Sequence, residues 1–290
     1  MVYLDDSLSS TVRYYVVKQQ LTQQILNSKE KGTAQKEESE PKLIVSLTTH
    51  GSRIHTVPYA IESIFSQTLK PDKVVLYLSN NEFSIQTLPL SLMRQTERGL
   101  DLRFANDLGP HTKLIPALQE FPEAIIITVD DDYMYPFDLI ERLYSAHLSH
   151  PGTVCCSHSR IMKCKQERVL APYDSFEMCF PDKDYQSNTL LAEGFGGVLY
   201  PPHSLSDEVF NLHNLKRLSP SADDVWFKGM ELLVDTPVVQ IARNRSWFHS
   251  ITSEITTQDI GLKHYNLGKC GNDVQLNNLF SHYDLYGRLK

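Results

Sequence analysis

Apolar residues between positions 43 and 144 alternate between short continuous runs and stretches with helical spacing. The continuous runs predict buried strands at residues 43–49, 73–79, 100–105 and 124–129. Apolar positions three and four apart predict helices at residues 56–67, at residues 111–121 and from Pro136 onward. Strands that alternate with helices in this way predict an α/β fold, in which a mainly parallel sheet is covered by helices on both faces.

The pattern is less regular after residue 150. It predicts a strand at residues 153–157 and a helix over residues 222–233. Residues 158–193 are typical of loops and a hairpin, and residues 194–200 form a glycine-rich, strand-like segment.

The first 42 residues differ from the rest of the chain. Residues 8–26 have loosely helical apolar spacing, whereas residues 27–42 are highly charged and poor in apolar side chains, which favours a flexible linker. The sequence therefore predicts an N-terminal helix with a charged linker (1–42) and an α/β domain (43–290). We expect the helix to dock on this domain or on a second copy of the chain as a homodimer, and a membrane-surface or partner-binding role stays open.

Composition narrows the classes of protein to consider. The 290 residues are 41% hydrophobic and 22% charged, as in globular proteins, and the net charge of −7 argues against a nucleic-acid partner. The five cysteines include no CxxC pair, which favours a reducing compartment over a zinc ribbon or a disulfide framework. No signal-peptide pattern or bilayer-spanning apolar run is evident, so the sequence predicts a soluble, cytoplasmic protein.

Three adjacent carboxylates, Asp130, Asp131 and Asp132, directly follow the fourth predicted strand. Parallel α/β sheets bind ligands at the carboxyl ends of their strands, where a hard divalent cation, Mn²⁺ or Mg²⁺, would neutralise crowded carboxylates. Strand geometry would point Asp130 and Asp132 to one side and Asp131 to the other, and which two act stays open. The alternative is a solvated acidic turn before the next helix.

Lys113 stands at the predicted start of the helix over residues 111–121. Its ammonium group and the free backbone N–H groups of a helix start could bind phosphate. A surface lysine without a ligand is the alternative.

Four segments together resemble one enzyme family. They are LIVSLTTHGSRI from residue 43, VDDDYMYP from residue 129, EGFGGVLYPP from residue 193 and SADDVWF from residue 221. In this order they are similar to the GT-A-type glycosyltransferases, family-2-like, of bacterial surface polysaccharide biosynthesis, which have a Rossmann-like fold. The chain departs from the pattern at Ser79-Asn80-Asn81, where the family carries an acidic residue that reads the base.

The resemblance implies that the acidic triplet binds the ribose and the metal-bridged diphosphate of a nucleotide-sugar. The donor site would then comprise Thr48, Thr49, Arg53, Lys113, Asp130 and Asp131. The metal ligands would be Asp132, Asp130 and His249, although a histidine among aromatic residues can also be structural. The donor and acceptor sugars would lie beside Glu193, Gly194, Gly196 and Gly197, although glycines also serve close strand packing.

Asp223 and Asp224 correspond to the acidic pair that the family places at a helix start. An inverting transfer needs a carboxylate that takes the proton of the acceptor hydroxyl, and the resemblance assigns this role to Asp224 ahead of Asp223. Ser221-x-x-Asp224 is also a capping box, and acidic residues favour helix starts, so a structural role is the alternative.

The sequence thus predicts a metal-dependent, inverting glycosyltransferase. It would move a sugar from a nucleotide-sugar, expected to be UDP-linked, to a saccharide or lipid-linked saccharide acceptor, the latter at the inner face of the membrane. A non-catalytic module that binds nucleotide-sugar or glycan is an alternative that would not need Asp223 and Asp224. A sugar nucleotidylyltransferase is disfavoured because THGSRIHTVP contains one glycine, and a phosphatase or nuclease because no nucleophile or paired-metal spacing stands out. The sugar, acceptor, linkage, stereochemical course and oligomeric state stay open.

Overall fold

A computed structural model describes residues 10–34, 41–242, 249–250 and 271–289, and for residues 10, 11, 249 and 250 it describes the backbone alone. The α-helices in these ranges are α1 (Ser10–Asn27), α2 (Val57–Phe65), α3 (Leu90–Thr96), α4 (Ile115–Glu120), α5 (Leu139–Ser149), α6 (Leu212–Leu218), α7 (Asp223–Leu233) and α8 (Gly271–Tyr283).

The strands are short in the second half of the chain. They are β1 (Leu43–Thr48), β2 (Lys73–Ser79), β3 (Leu100–Ala105), β4 (Ile125–Thr128), β5 (Tyr133–Met134), β6 (Val154–Cys156), β7 (Ser159–Ile161), β8 (Cys164–Gln166), β9 (Val169–Leu170), β10 (Glu177–Met178), β11 (Tyr185–Ser187), β12 (Leu190–Ala192), β13 (Val198–Tyr200), β14 (Val238–Gln240) and β15 (His249–Ser250).

The central sheet has eight strands in the order β11-β14-β6-β13-β4-β1-β2-β3. The strands β1, β2, β3, β4, β6 and β14 run in one direction, and β13 and β11 run against them. The sheet is therefore mainly parallel, which confirms the predicted fold class. A smaller sheet, β10-β7-β12, lies in the region predicted as loops and a hairpin.

Helices cover both faces of the central sheet. Successive side chains of a strand point to opposite faces, and the two halves of the core follow this alternation. Ile44 and Ile126 pack in the layer of α4, α6, α7 and α8, whereas Val45 and Ile127 pack in the layer of α2, α3 and α5. Burial on both faces explains why these strands are continuous apolar runs.

The observed boundaries of the elements agree best with the predicted ones in the first half of the chain. The observed β2 and β3 match the predicted strands, β1 is one residue shorter at its end, and β4 and β6 are one residue shorter at each end. The predicted helix over residues 111–121 is a 3-10 helix, Gly109–Lys113, followed by α4, because Pro116 favours a new first turn there. The helix expected from Pro136 begins at Leu139.

The N-terminal helix packs on the body of the protein. Tyr14 and Leu21 of α1 are buried with Ala60 of α2 and Met134 of β5. The contact brings α1 next to the strand that directly follows the acidic triplet.

Residues 28–34 differ from the flexible linker that the sequence suggested. The backbone N–H of Gly32 donates to the carbonyl of Arg98, and that of Ala34 donates to the carbonyl of Pro71, both at 2.9 Å. A Cβ on Gly32 would lie 1.9 Å from the ring of Phe65, so the chain here is packed tightly against α2. Backbone pairing orders this stretch despite its charge, and residues 35–40 lie outside the described ranges.

No helix within the described ranges combines the length and the apolar character that a bilayer crossing requires.

Candidate active site

A cleft of about 830 Å³ opens at the carboxyl ends of β1 and β4. We call one side the strand-end wall, which comprises Thr48, Thr49, Arg53, Lys113, Asp130, Asp131 and Asp132. A second group of lining residues, the small-sheet wall, comprises Arg160, Tyr173, Met178, Glu193, Phe195 and Asn272. Asp223 and Asp224 also line the cleft, so the two acidic segments singled out in the sequence share one site.

Arg53 reaches the triplet from the 3-10 helix Gly51–His55 that follows β1. Its Nη1 donates to Asp131 Oδ1 at 2.8 Å, and its Nη2 lies 3.3 Å from Asp132 Oδ2. The other oxygen of Asp131, Oδ2, accepts a hydrogen bond from Thr49 Oγ1 at 2.6 Å. Both carboxylate oxygens of Asp131 thus have partners within the protein, whereas Asp130 and Asp132 each form an ion pair through one oxygen.

Thr48 ends β1, where its hydroxyl donates to the carbonyl of Tyr77 at 2.9 Å. The hydroxyl groups of both threonines of the strand-end wall therefore donate hydrogen bonds within the protein.

Lys113 joins the two acidic segments. It is 5% exposed, and its Nζ lies 2.5 Å from Asp130 Oδ1 and 2.9 Å from Asp223 Oδ2. Burial disfavours the charged ammonium, but Asp130 and Asp223 outweigh that effect and raise the pKa of Lys113 well above its usual value. Lys113 therefore stays charged, and its burial excludes the alternative of a surface lysine.

Asp223 and Asp224 are neighbours in different electrostatic settings. Burial raises the pKa of Asp223, but the charge of Lys113 outweighs burial and leaves that pKa below its usual value. Burial and the charge of Asp223 raise the pKa of Asp224 well above its usual value. Asp224 is the more basic of the two, and it is also the less buried.

The capping box that the sequence offered at this helix start is not formed. Ala222 occupies the N-cap position of α7 with no side-chain cap bond. Instead, Gln275 Oε1 of α8 accepts hydrogen bonds from the backbone N–H groups of Ser221 and Ala222, both at 3.0 Å. The acidic pair is therefore positioned by α8, a helix that begins at Gly271.

Glu193 lies on the cleft, whereas Gly194 lies behind it. The N–H of Gly194 donates to Asp224 Oδ1 at 3.0 Å. A Cβ on Gly194 would stand 2.5 Å from Lys113 Nζ and 2.9 Å from Asp224 Oδ1. The missing side chain therefore makes room for the two charged groups of the site.

Gly196 and Gly197 also make room for protein side chains. A Cβ on Gly196 would lie 2.6 Å from His158 Nδ1, and one on Gly197 would lie 2.9 Å from Leu139 Cδ2. Gly197 has a φ of +90°, which favours glycine in any case. Close packing accounts for both residues, as the alternative interpretation of this segment held.

The small-sheet wall contains residues that sequence reasoning missed. Arg160 Nε donates to Glu193 Oε1 at 2.8 Å, and its guanidinium lies 5.2 Å from the centre of the Tyr173 ring. Asp273 Oδ1 of α8 accepts a hydrogen bond from the Tyr173 N–H at 2.6 Å, and Asn272 reaches the cleft beside it. The apolar spacing of residues 276, 279 and 280 was the available signal for a buried helix here.

The residues of the cleft fit a hard divalent cation. The described lining carries eight carboxylate side chains and three arginine or lysine side chains. Burial and the charge of Asp130 raise the pKa of Asp132 to about 7, a sign of uncompensated negative charge. No three metal-ligating side chains converge within the described part of the chain, but Mg²⁺ needs only one or two carboxylates when phosphate completes its shell.

His249, the third expected metal ligand, is described only in its backbone. The strand β15 pairs His249 with Met134, two residues beyond Asp132. The side chain of His249 lies outside the described residues.

Comparison with known proteins identifies no family. No family model matches the chain, and no curated protein matches it. Among solved structures, the chain is similar to UDP-glucose pyrophosphorylase from Acinetobacter baumanii, with 11% identity and a TM-score of 0.46. The likeness covers 82% of this chain and 99% of that chain, and at this level it carries no information about activity.

Proposed function

We propose that the protein transfers a sugar from a nucleoside diphosphate sugar to a hydroxyl group of an acceptor. One observation carries the proposal: two acidic segments far apart in the sequence face one cleft and are joined by the buried Lys113. Sugar transfer needs a charge-rich site for the diphosphate beside a carboxylate for the acceptor hydroxyl, and this cleft supplies both.

The strand-end wall suits the diphosphate of the donor. Arg53 and Lys113 provide N–H donors of the kind that bind phosphate oxygens. Asp130 and Asp132 would hold a divalent cation, which when bound neutralises charge on the departing diphosphate. Asp131 acts through another residue, because both its oxygens are engaged and it orients Arg53.

Asp224 suits the proton acceptor. Its raised pKa makes it a stronger base than an ordinary carboxylate, and it is less buried than Asp223. As the acceptor oxygen bonds to the anomeric carbon, the bond from that carbon to the diphosphate oxygen breaks, and the hydroxyl proton passes to Asp224. A single displacement of this kind inverts the anomeric centre.

The test measures products from a panel of nucleotide-sugars with Mn²⁺, once with neutral glycoside acceptors and once with pyrophosphate. We expect nucleoside diphosphate and a new glycoside in the first reaction. Asp224→Asn is expected to slow transfer by about 100-fold or more, since a general base contributes on that order. Donor-induced thermal shifts should persist in this variant, and Asp207→Asn, at an exposed acid, is the matched control.

Three outcomes would contradict the proposal in different ways. Full transfer by Asp224→Asn would remove Asp224 as the base. Nucleoside triphosphate formed from pyrophosphate would identify a nucleotidylyltransferase. Donor binding without either product would identify a binding module.

A further inference from the structure

Two oxygen atoms of the small-sheet wall have no hydrogen-bond partner among the described residues. They are Glu193 Oε2 and Asn272 Oδ1. Glu193 is 6% exposed and Asn272 is 9% exposed, and both line the cleft. Buried polar atoms are rarely left unpaired in folded proteins, because an unpaired one loses its hydration without compensation. Both atoms therefore point to a ligand.

Each of these side chains is held in place by its neighbours. The other oxygen of Glu193 is fixed by Arg160 Nε at 2.8 Å. Asn272 belongs to α8, which is anchored one turn later by the bonds from Gln275 to the start of α7. A Cβ on Gly229 of α7 would lie 2.5 Å from Leu279 Cδ2, so the two helices are tightly packed. Both side chains therefore line the cleft on rigid elements.

The chemistry of the wall selects a neutral ligand with hydroxyl groups. Unpaired carbonyl and carboxylate oxygens require hydrogen-bond donors, which hydroxyl groups supply. Tyr173, Phe195 and Met178 add apolar surface for the C–H face of a sugar ring. An anionic ligand is disfavoured, because the carboxylate of Glu193 repels it.

We infer that the small-sheet wall binds a neutral saccharide ring through Glu193 Oε2 and Asn272 Oδ1. The role of this ring as the sugar acceptor rests on the proposed function, whereas its binding does not. The inference adds Asn272, and with it the helix α8, to the ligand-binding residues.

The experiment titrates the intact protein, without donor, with two NMR-observed probes: methyl β-D-glucopyranoside and its anionic counterpart, methyl β-D-glucuronide. We expect the neutral probe to bind and the anionic probe to bind several-fold more weakly. Asn272→Leu should weaken the neutral probe by about five- to tenfold, the loss expected for one hydrogen bond, and should raise Tm because it removes an unpaired buried oxygen. Asn277→Leu, at an exposed position of the same helix, should weaken neither probe.

A second variant tests the charge. Glu193→Gln keeps the shape of the side chain but should abolish the discrimination against the glucuronide. Failure of the neutral probe to bind the wild-type protein, unchanged binding in Asn272→Leu, or a lower Tm in that variant would each overturn the inference.

The inference and the proposed function fail separately. Sugar transfer by the wild-type protein, together with glycoside binding that is unchanged in Asn272→Leu, would leave the function and remove the subsite. Glycoside binding that depends on Asn272, in a protein that turns over no nucleotide-sugar, would leave the subsite and remove the function.

Discussion

The two walls of the cleft satisfy their polar groups differently. On the strand-end wall Asp130, Asp131 and Asp132 each meet a cation of the protein, either Lys113 or Arg53. On the small-sheet wall two buried oxygens have no partner among the described residues. The carboxylates of the first wall are therefore paired with cations of the protein, whereas the two oxygens of the second gain a partner only when a ligand donates to them. Charge pairing alone therefore does not locate all of a binding site.

The walls also differ in their response to acid. The pKa of Asp132 on the strand-end wall is raised to about 7 by burial and by Asp130. His158 packs behind the small-sheet wall, with its ring centre 4.9 Å from that of Phe195, and burial and Arg142 lower its pKa to about 4. Protonation of Asp132 therefore removes charge repulsion in the strand-end wall, whereas protonation of His158 places an unfavourable buried charge behind the small-sheet wall.

The largest effect is expected from Lys113→Met, which leaves Asp130 and Asp223 buried without their cation. Removing one partner of a buried ion pair costs about 3–5 kcal/mol of the free energy of unfolding. Urea unfolding at pH 7 measures this cost. Lys163→Met is the matched control, because its exposed pair with Glu177 is worth at most about 1 kcal/mol. Equal, small losses in both variants would mean that charge pairing does not hold the strand-end wall together.

A smaller effect of opposite sign is expected from Asp132→Asn. The folded-state pKa of Asp132 is raised, so its ionisation costs stability as pH rises from about 4 to about 7. A neutral side chain removes this cost, and the free energy of unfolding at pH 8 should rise by about 2–4 kcal/mol, with little change at pH 4. The variant should also lose the thermal shift caused by Mn²⁺. A variant less stable than the wild type at pH 8 would contradict this account of the triplet.

The smallest effect concerns His158→Gln. A neutral histidine in the folded protein adds stability above pH about 6.5, and this stability is lost as pH falls towards 4, because the unfolded chain binds the proton first. Between pH 7 and pH 4 the free energy of unfolding should therefore fall by about 2–3 kcal/mol less in the variant than in the wild type. Paired unfolding curves at the two pH values measure it. His203→Gln, at a side chain that is 75% exposed, should leave the sensitivity intact, and an equal change in both variants would refute the assignment to His158.

The fold was predictable where strands are long and buried on both faces. The runs that became β2 and β3 carry their own signal, because burial on both sides requires apolar residues throughout. The direction of β13 was not predictable. It is three residues long and antiparallel between β4 and β6, and so short a run contains no period that reports its partner.

The candidate site was predictable in part. The residues of the two acidic segments could be named, since each follows or begins an element that the pattern predicts. The use of Lys113 as a bridge and of Gln275 in place of a capping box could not, because both depend on partners from distant parts of the chain.

The sequence by itself determined the parallel half of the sheet and the position of Asp130–Asp132 at a strand end. Local apolar periodicity and the direct succession of strand and carboxylates are properties of contiguous residues. Only the tertiary structure decided that Asp223 and Asp224 line the same cleft as the triplet, which of the two is the stronger base, and that Asn272 also lines this cleft. These outcomes depend on how α7 and α8 pack and on how burial changes the free energy of a charge, and neither is a property of contiguous sequence.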